Sequence, residues 1–258
     1  MAERAAARAR RSAQAPWVPY LVPYAAFLLI QEIQARPIGR DSLVLWLLRV
    51  VVPFGLFLHY LRQGAFPELR RFRPTLLGVG SDVAVGLGVT LLWVAPYVLG
   101  WLPGPEPGRS FDPEQLGHGL REVVLGLRLL GFAAVTPFVE ELFVRSFLVR
   151  ASELVSFSGL RLEIDERRDW REIPIGAFSV WSFAVTVLYF ALSHTTWEWP
   201  VAAATGVIYN LWLMHRREIG ALVVTHAVTN ASLFALVALG SGHLPGPGGA
   251  PLVLWYFL

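Results

Sequence analysis

The sequence predicts an all-α fold, a polytopic transmembrane helical bundle of about seven to eight membrane helices. Three observations predict it. Of 258 residues, 55% are hydrophobic and only 16% charged. Apolar runs of membrane-crossing length recur along most of the chain. The arginines gather in alternate connecting loops. With a mean hydropathy of +0.51, the chain has more apolar surface than one water-soluble core can hide.

The apolar runs cover 17–30, 41–61, 75–102, 122–149, 174–195, 200–214 and 220–239, while 251–258 is too short to cross. A backbone in lipid must satisfy its own polar groups, and no period-2 barrel pattern appears, so each run is expected to be helical. Arg4, Arg8, Arg10 and Arg11 precede the first run like the charged region of a secretory signal. That run then continues into Gln31, Glu32, Ile33 and Gln34 rather than a small-residue cleavage site, so it reads as a retained helix. The expectation is one integral membrane domain over 1–258, with its motif-bearing part at about 122–239. The charged stretch 152–172 reads as a solvated cytoplasmic loop, with 161–172 a loop or short interfacial helix.

Basic residues stay cytoplasmic when loops are short. The N-terminal arm, the loop with Arg62, Arg70, Arg71 and Arg73, the loop with Arg161, Arg167, Arg168 and Arg171, and the turn with Arg216 and Arg217 fall on one side. Arg36 and Arg40 are the exception. The expected placement is a bacterial inner membrane, with the N-terminus cytoplasmic and the C-terminus outside. All 22 basic residues are arginine, and the net charge of +3 does not point to nucleic acid. The absence of cysteine rules out disulfides, thiolate catalysis and cysteine-ligated metal.

Polar side chains inside a span cost a few kcal/mol each unless they are paired or face water, so they are functional candidates. They are Asp82, Arg128, Glu140, Glu141, Arg145, His194, Asn210, His226 and Asn230, with His59 near a helix end. Glu141 and Arg145 lie one helical turn apart, so the arginine can hold Glu141 ionised and leave Glu140 to face a cavity as a general base. A plain helix-stabilising ion pair is the alternative. Phe190 lies one turn before His194 and can pack against its ring, although a histidine at a span end also suits an interfacial position. His226 and Asn230, again one turn apart, supply two donors that suit a developing oxyanion or an interhelical clamp. Asp82 is expected to be a buried partner for Arg128.

Glu-Glu-x-x-x-Arg (140–145), Phe-x-x-x-His (190–194) and His-x-x-x-Asn (226–230), in that order on three motif-bearing helices, resemble the CAAX prenyl protease and bacteriocin-processing family, also called the Abi family. The resemblance covers about 125–236. It implies a glutamate-dependent intramembrane endopeptidase that uses neither a metal nor a cofactor nor a covalent intermediate. Glu140 and His194 would activate water, His226 and Asn230 would stabilise the oxyanion, and Glu141, Arg145 and Phe190 would support them. The expected partners are the bilayer and a peptide or protein substrate, lipid-modified or membrane-embedded. Straight spans raise a conflict, because Glu140 would lie about ten residues from one end of its helix and His194 near the opposite face. Three other readings keep the same fold: a scaffold or immunity protein, a transporter, and a zinc protease using Glu140, His194 and His226.

Overall fold

A computed structural model of the chain describes residues 15–36, 42–104, 119–158, 161–165, 167–243 and 253–257. The arginines at 4, 8, 10, 11 and 40 lie outside the described residues, as do most of the Gly/Pro-rich loops at 102–119 and 240–251.

Seven helices make up the described structure. They are α1 (Val18–Ala35), α2 (Leu43–Arg62), α3 (Leu76–Val98), α4 (Leu120–Ser152), α5 (Val180–Leu192), α6 (Trp199–Arg216) and α7 (Ile219–Gly240). Four of them, α2, α3, α4 and α7, are long and apolar enough to cross a membrane. Among the described residues this is fewer than the seven to eight membrane helices expected. Ser42 and Thr75 start α2 and α3 by accepting the backbone N–H groups of Leu45 and Gly78, which are otherwise left without helical partners. Large apolar residues remain on the surface of the bundle, among them Leu76, Leu91, Val180 and Leu239, as a lipid solvent permits. These helices mark an integral membrane protein.

Two boundaries differ from the sequence expectation. The fifth apolar run forms a helix only over Val180–Leu192, 13 residues or about 20 Å, against about 30 Å of hydrocarbon. Before it, Ile173 and Ile175 are buried and Gly176, at φ +81°, turns the chain against the last turn of α6. A Cβ at Gly176 would meet the Leu213 carbonyl at 2.8 Å. The charged segment also contains a short antiparallel hairpin, β1 (Val155–Ser158) paired with β2 (Arg161–Ile164), followed by a single turn at Trp170–Glu172. Backbone pairing in an exposed loop satisfies N–H and C=O groups that no helix takes up.

Helix α4 packs against α1, α2, α5 and α7, and α3 lies along α7. Small residues allow the α3–α7 approach. A Cβ on Gly86 would meet the Thr225 carbonyl at 2.6 Å. Around it, the Thr229 hydroxyl donates to the Gly86 carbonyl, and the Thr90 hydroxyl lies 2.6 Å from that of Ser232. Such interhelical hydrogen bonds and close backbone contacts replace the hydrophobic drive that is missing between helices in lipid. Asp82 is fully buried, but its partner is Arg216 at 3.3 Å, with the Trp212 indole N–H donating at 3.0 Å. Arg128, the expected partner, instead lies over the Trp46 ring. Asp82 and Arg216 meet because α3 begins and α6 ends at the same face of the bundle, whereas Arg128 belongs to the other end.

Candidate active site

The site is built on the middle of α4. Two π-helical stretches, Gly131–Val135 and Leu142–Leu148, flank the turn that carries Glu140 and Glu141. Pro137 accounts for the first. Proline brings no N–H, so a carbonyl in the preceding turn loses its helical donor and the local pitch loosens. The Phe132 carbonyl receives its hydrogen bond instead from Asn230 Nδ2, at 2.7 Å, across the α4–α7 contact. Thr136 donates to the Gly131 carbonyl in the same stretch.

A chain of charged groups follows. Arg145 and Glu141 are fully buried, with guanidinium and carboxylate 3.3 Å apart. The same Glu141 oxygen lies 2.7 Å from His226 Nδ1. With Glu141 ionised by Arg145, this nitrogen must carry the proton, and His226 Nε2 then points to Glu140 Oε2 at 3.8 Å. Glu140 itself is buried, at 8% exposure. Carboxylate–imidazole pairing of this kind sets both the tautomer and the orientation of the ring.

His194 joins the group through Phe190. Its Nδ1 lies 2.7 Å from the Phe190 carbonyl, and since a carbonyl only accepts, Nδ1 is the donor and Nε2 keeps its lone pair. The Phe190 ring centroid is 4.7 Å from that of His194 and 6.4 Å from that of His226, and the Arg145 guanidinium stacks 4.3 Å from it. Two features bring His194 back toward Arg145 and His226. Helix α5 is short, and the His194 ring folds back along its own last turn rather than projecting beyond it. Arg145, His194 and His226 thus meet around the Phe190 ring, Glu140 and Glu141 join the group through His226, and Asn230 sits one turn along α7.

Two further residues complete the surroundings. Tyr209 on α6 is fully buried, its ring 5.3 Å from His226 and 5.5 Å from the Arg145 guanidinium, and its hydroxyl donates to Thr229 Oγ1 at 2.9 Å. Trp93 on α3 lies 5.3 Å from the His194 ring. The sequence marked the neighbouring Asn210 as polar and passed over Tyr209. A tyrosine in mid-helix needs a partner for its hydroxyl, and that requirement was the available signal. Asn210 instead ties α6 to α5, donating to Thr186 Oγ1 and to the Phe183 carbonyl.

Among the described residues, no three His, Asp or Glu side chains converge as a metal-ligand group, so the Glu140, His194 and His226 trio is not drawn together in that way. A separate cavity of about 700 Å³ lies near the start of α1 and the end of α4, lined by Tyr20, Glu68, Arg71, Arg150 and Arg171. Its buried Glu68 pairs with Arg150 and the Ser146 hydroxyl, and it contains none of the motif residues.

No curated protein and no solved structure matches the chain. A family model described as type II CAAX prenyl endopeptidase Rce1-like matches residues 123–232, a segment that holds all three motifs. This segment, which runs from α4 to α7 and builds the polar cluster around Phe190, is similar to the Rce1-like type II CAAX prenyl endopeptidases.

Proposed function

We propose that the protein is a glutamate-dependent intramembrane endopeptidase that cleaves a peptide bond, near the C-terminus or in a membrane segment of its substrate, with an activated water. The observation that carries this reading is the arrangement of the two adjacent carboxylates. Glu141 lies between Arg145 and His226, while Glu140 makes no ion pair with an arginine among the described residues and faces His226 Nε2 at 3.8 Å.

In this reading Glu140 takes a proton from the attacking water, and His194, whose lone pair is at Nε2, accepts the water's second hydrogen bond. The proton that Glu140 takes from the water passes to His226 Nε2, 3.8 Å away. The resulting imidazolium, stabilised by Glu141, donates from Nε2 to the developing oxyanion until that proton goes to the leaving amine as the C–N bond breaks. Asn230 carries two N–H donors. The Phe132 carbonyl takes one, which fixes the amide and leaves the other for the substrate oxygen. Arg145 keeps Glu141 ionised, and Phe190 holds Arg145 and both histidines in register. A scaffold or immunity protein would have no use for this set, because a buried carboxylate pair costs several kcal/mol that an apolar core would avoid.

The test is cleavage by the purified protein in liposomes, using a prenylated tail peptide and a library of bacterial transmembrane tails. Glu140→Gln, His194→Ala and His226→Ala are each expected to lower the rate by about 10² or more. A chelator is expected to leave the rate unchanged. Chelator sensitivity would move the reading to a zinc site. Undiminished cleavage by Glu140→Gln would remove the glutamate mechanism.

A further inference from the structure

His226 Nε2 approaches Oε2 of Glu140, which leaves Oε1 to other partners. Two tyrosines stand beside the same carboxylate. Tyr24 on α1 is 1% exposed, and Tyr189 on α5 is half-buried. Both lie within electrostatic reach of Glu140 and of each other. The Tyr24 ring is stacked on that of Phe143, three residues after Glu140, with centroids 4.7 Å and planes 17° apart. The Tyr189 ring lies 5.5 Å from Phe143 and 6.3 Å from Tyr24. Three rings from α1, α4 and α5 therefore fix where the two hydroxyls sit.

The ring packing accounts for an aromatic residue at position 24 but not for a tyrosine. Its apolar neighbours include Phe27, Val139, Phe143 and Val144, and its buried hydroxyl has no hydrogen-bond partner among the described residues. Phenylalanine would fill the same space without the cost of a desolvated, unpaired donor. Tyr20, one turn earlier on α1, shows the usual solution, because its hydroxyl donates to the Ala65 carbonyl at 3.1 Å. Beside Tyr24 the available acceptor is Glu140, and an ionised carboxylate offers about four lone-pair sites. Arg49 and Arg145 act on Glu140 through space without an ion pair, so a hydroxyl would add the short contact that they do not make.

We infer that Tyr24 is a positioning residue for Glu140, its hydroxyl donating to the carboxylate oxygen turned away from His226, and that the Tyr189 hydroxyl orients it by donating to the Tyr24 oxygen. The last torsion of a glutamate is broad, so an unheld carboxylate turns easily. A donor on Oε1 stops that rotation and keeps Oε2 toward His226 and the water. The kinetic consequence rests on the proposed role of Glu140 as general base, whereas the hydrogen bond itself does not.

Infrared difference spectroscopy of the full chain in liposomes at acid pH tests the hydrogen bond, with the protonated C=O stretch of Glu140 identified as the band missing from Glu140→Gln. Steady-state cleavage tests the role. A donor weakens the C=O bond, so Tyr24→Phe, which keeps the ring on Phe143, is expected to move the band to higher frequency and to lower kcat about tenfold with KM unchanged. Tyr189→Phe is expected to move the band the same way by less. Tyr20→Phe removes a structural hydroxyl from the same helix and is expected to lower the thermal midpoint while leaving the band and kcat as they are. An unmoved band in Tyr24→Phe would overturn the inference whether or not the protein cleaves peptides; should that variant not fold, an unmoved band in Tyr189→Phe does so. A moved band with undiminished kcat would overturn the positioning role. Full activity of Glu140→Gln would instead overturn the reading of Glu140 as the base, and the positioning role with it, leaving the band to report the hydrogen bond alone.

Discussion

At the scale of single residues, adjacent glutamates have opposite duties. Glu141 neutralises Arg145, which is fully buried and has two guanidinium nitrogens with no hydrogen-bond partner, and it also fixes His226. Removing it leaves a buried cation uncompensated. Glu141→Ala is therefore expected to lower stability by about 3–5 kcal/mol, read as the unfolding midpoint in a denaturing-detergent titration. Glu140 stands beside another carboxylate and has no arginine bound to it, so Glu140→Gln is expected to stay within about 1 kcal/mol of wild type while losing activity. A variant pair in which both properties fall together would contradict the division of labour. The adjacency of the two carboxylates and their spacing to Arg145 were legible in the sequence. The grip of Glu141 on His226 was not, because it joins α4 to α7 and depends on how those helices dock.

At the scale of elements, two contacts decide how the site is held. The α3–α7 seam depends on Gly86, where any side chain meets the Thr225 backbone and Val228. Gly86→Leu is expected to prevent assembly of the bundle, measured as loss of the monodisperse peak on size-exclusion chromatography. Gly55→Ala, with nothing within 4 Å of the new carbon, should elute as wild type. The second contact anchors the start of α5, which carries Phe190 and leads to His194. The Glu153 carboxylate accepts the Ser179 backbone N–H at 2.5 Å. Burial raises the Glu153 carboxyl, but hydrogen bonds from Ser182 and Ser179 and the charge of Arg168 outweigh it, so its pKa is held below the ordinary value. A depressed carboxyl contributes stability above its unfolded pKa of about 4.3, and that contribution is lost as pH falls through the lower folded value. Thermal midpoints are expected to fall over that acid window in the wild type and to fall less steeply in Glu153→Gln. A parallel fall in both would show that this anchor contributes nothing.

At the scale of the whole molecule, the arginine-rich loops predict orientation, with the loop after α2 on the cytoplasmic side and the segment after α3 outside. The chain has no cysteine and is a ready background for labelling. In intact cells, a membrane-impermeant maleimide is expected to label Trp101→Cys and to leave Arg70→Cys unlabelled until the cells are opened. The reverse pattern would invert the proposed topology. The apolar runs foretold the helices closely because a lipid solvent demands long, uninterrupted apolar segments with internally satisfied backbones. The one large error, the length of α5, arose where that demand lapses. The chain before α5 packs against protein, at Ile173, Ile175 and Gly176, and an apolar segment buried in protein reads like one buried in lipid.

By itself the sequence determined the membrane class and the identity of the motif residues, since composition, run length and spacing within one helix are local properties. Only the tertiary structure decided which polar groups pair. Asp82 goes to Arg216 and not Arg128, Asn230 to the carbonyl left open near Pro137, and His194 back onto Phe190. Each of these joins residues whose meeting depends on helix ends, bulges and crossing contacts, and no spacing along a single helix encodes them.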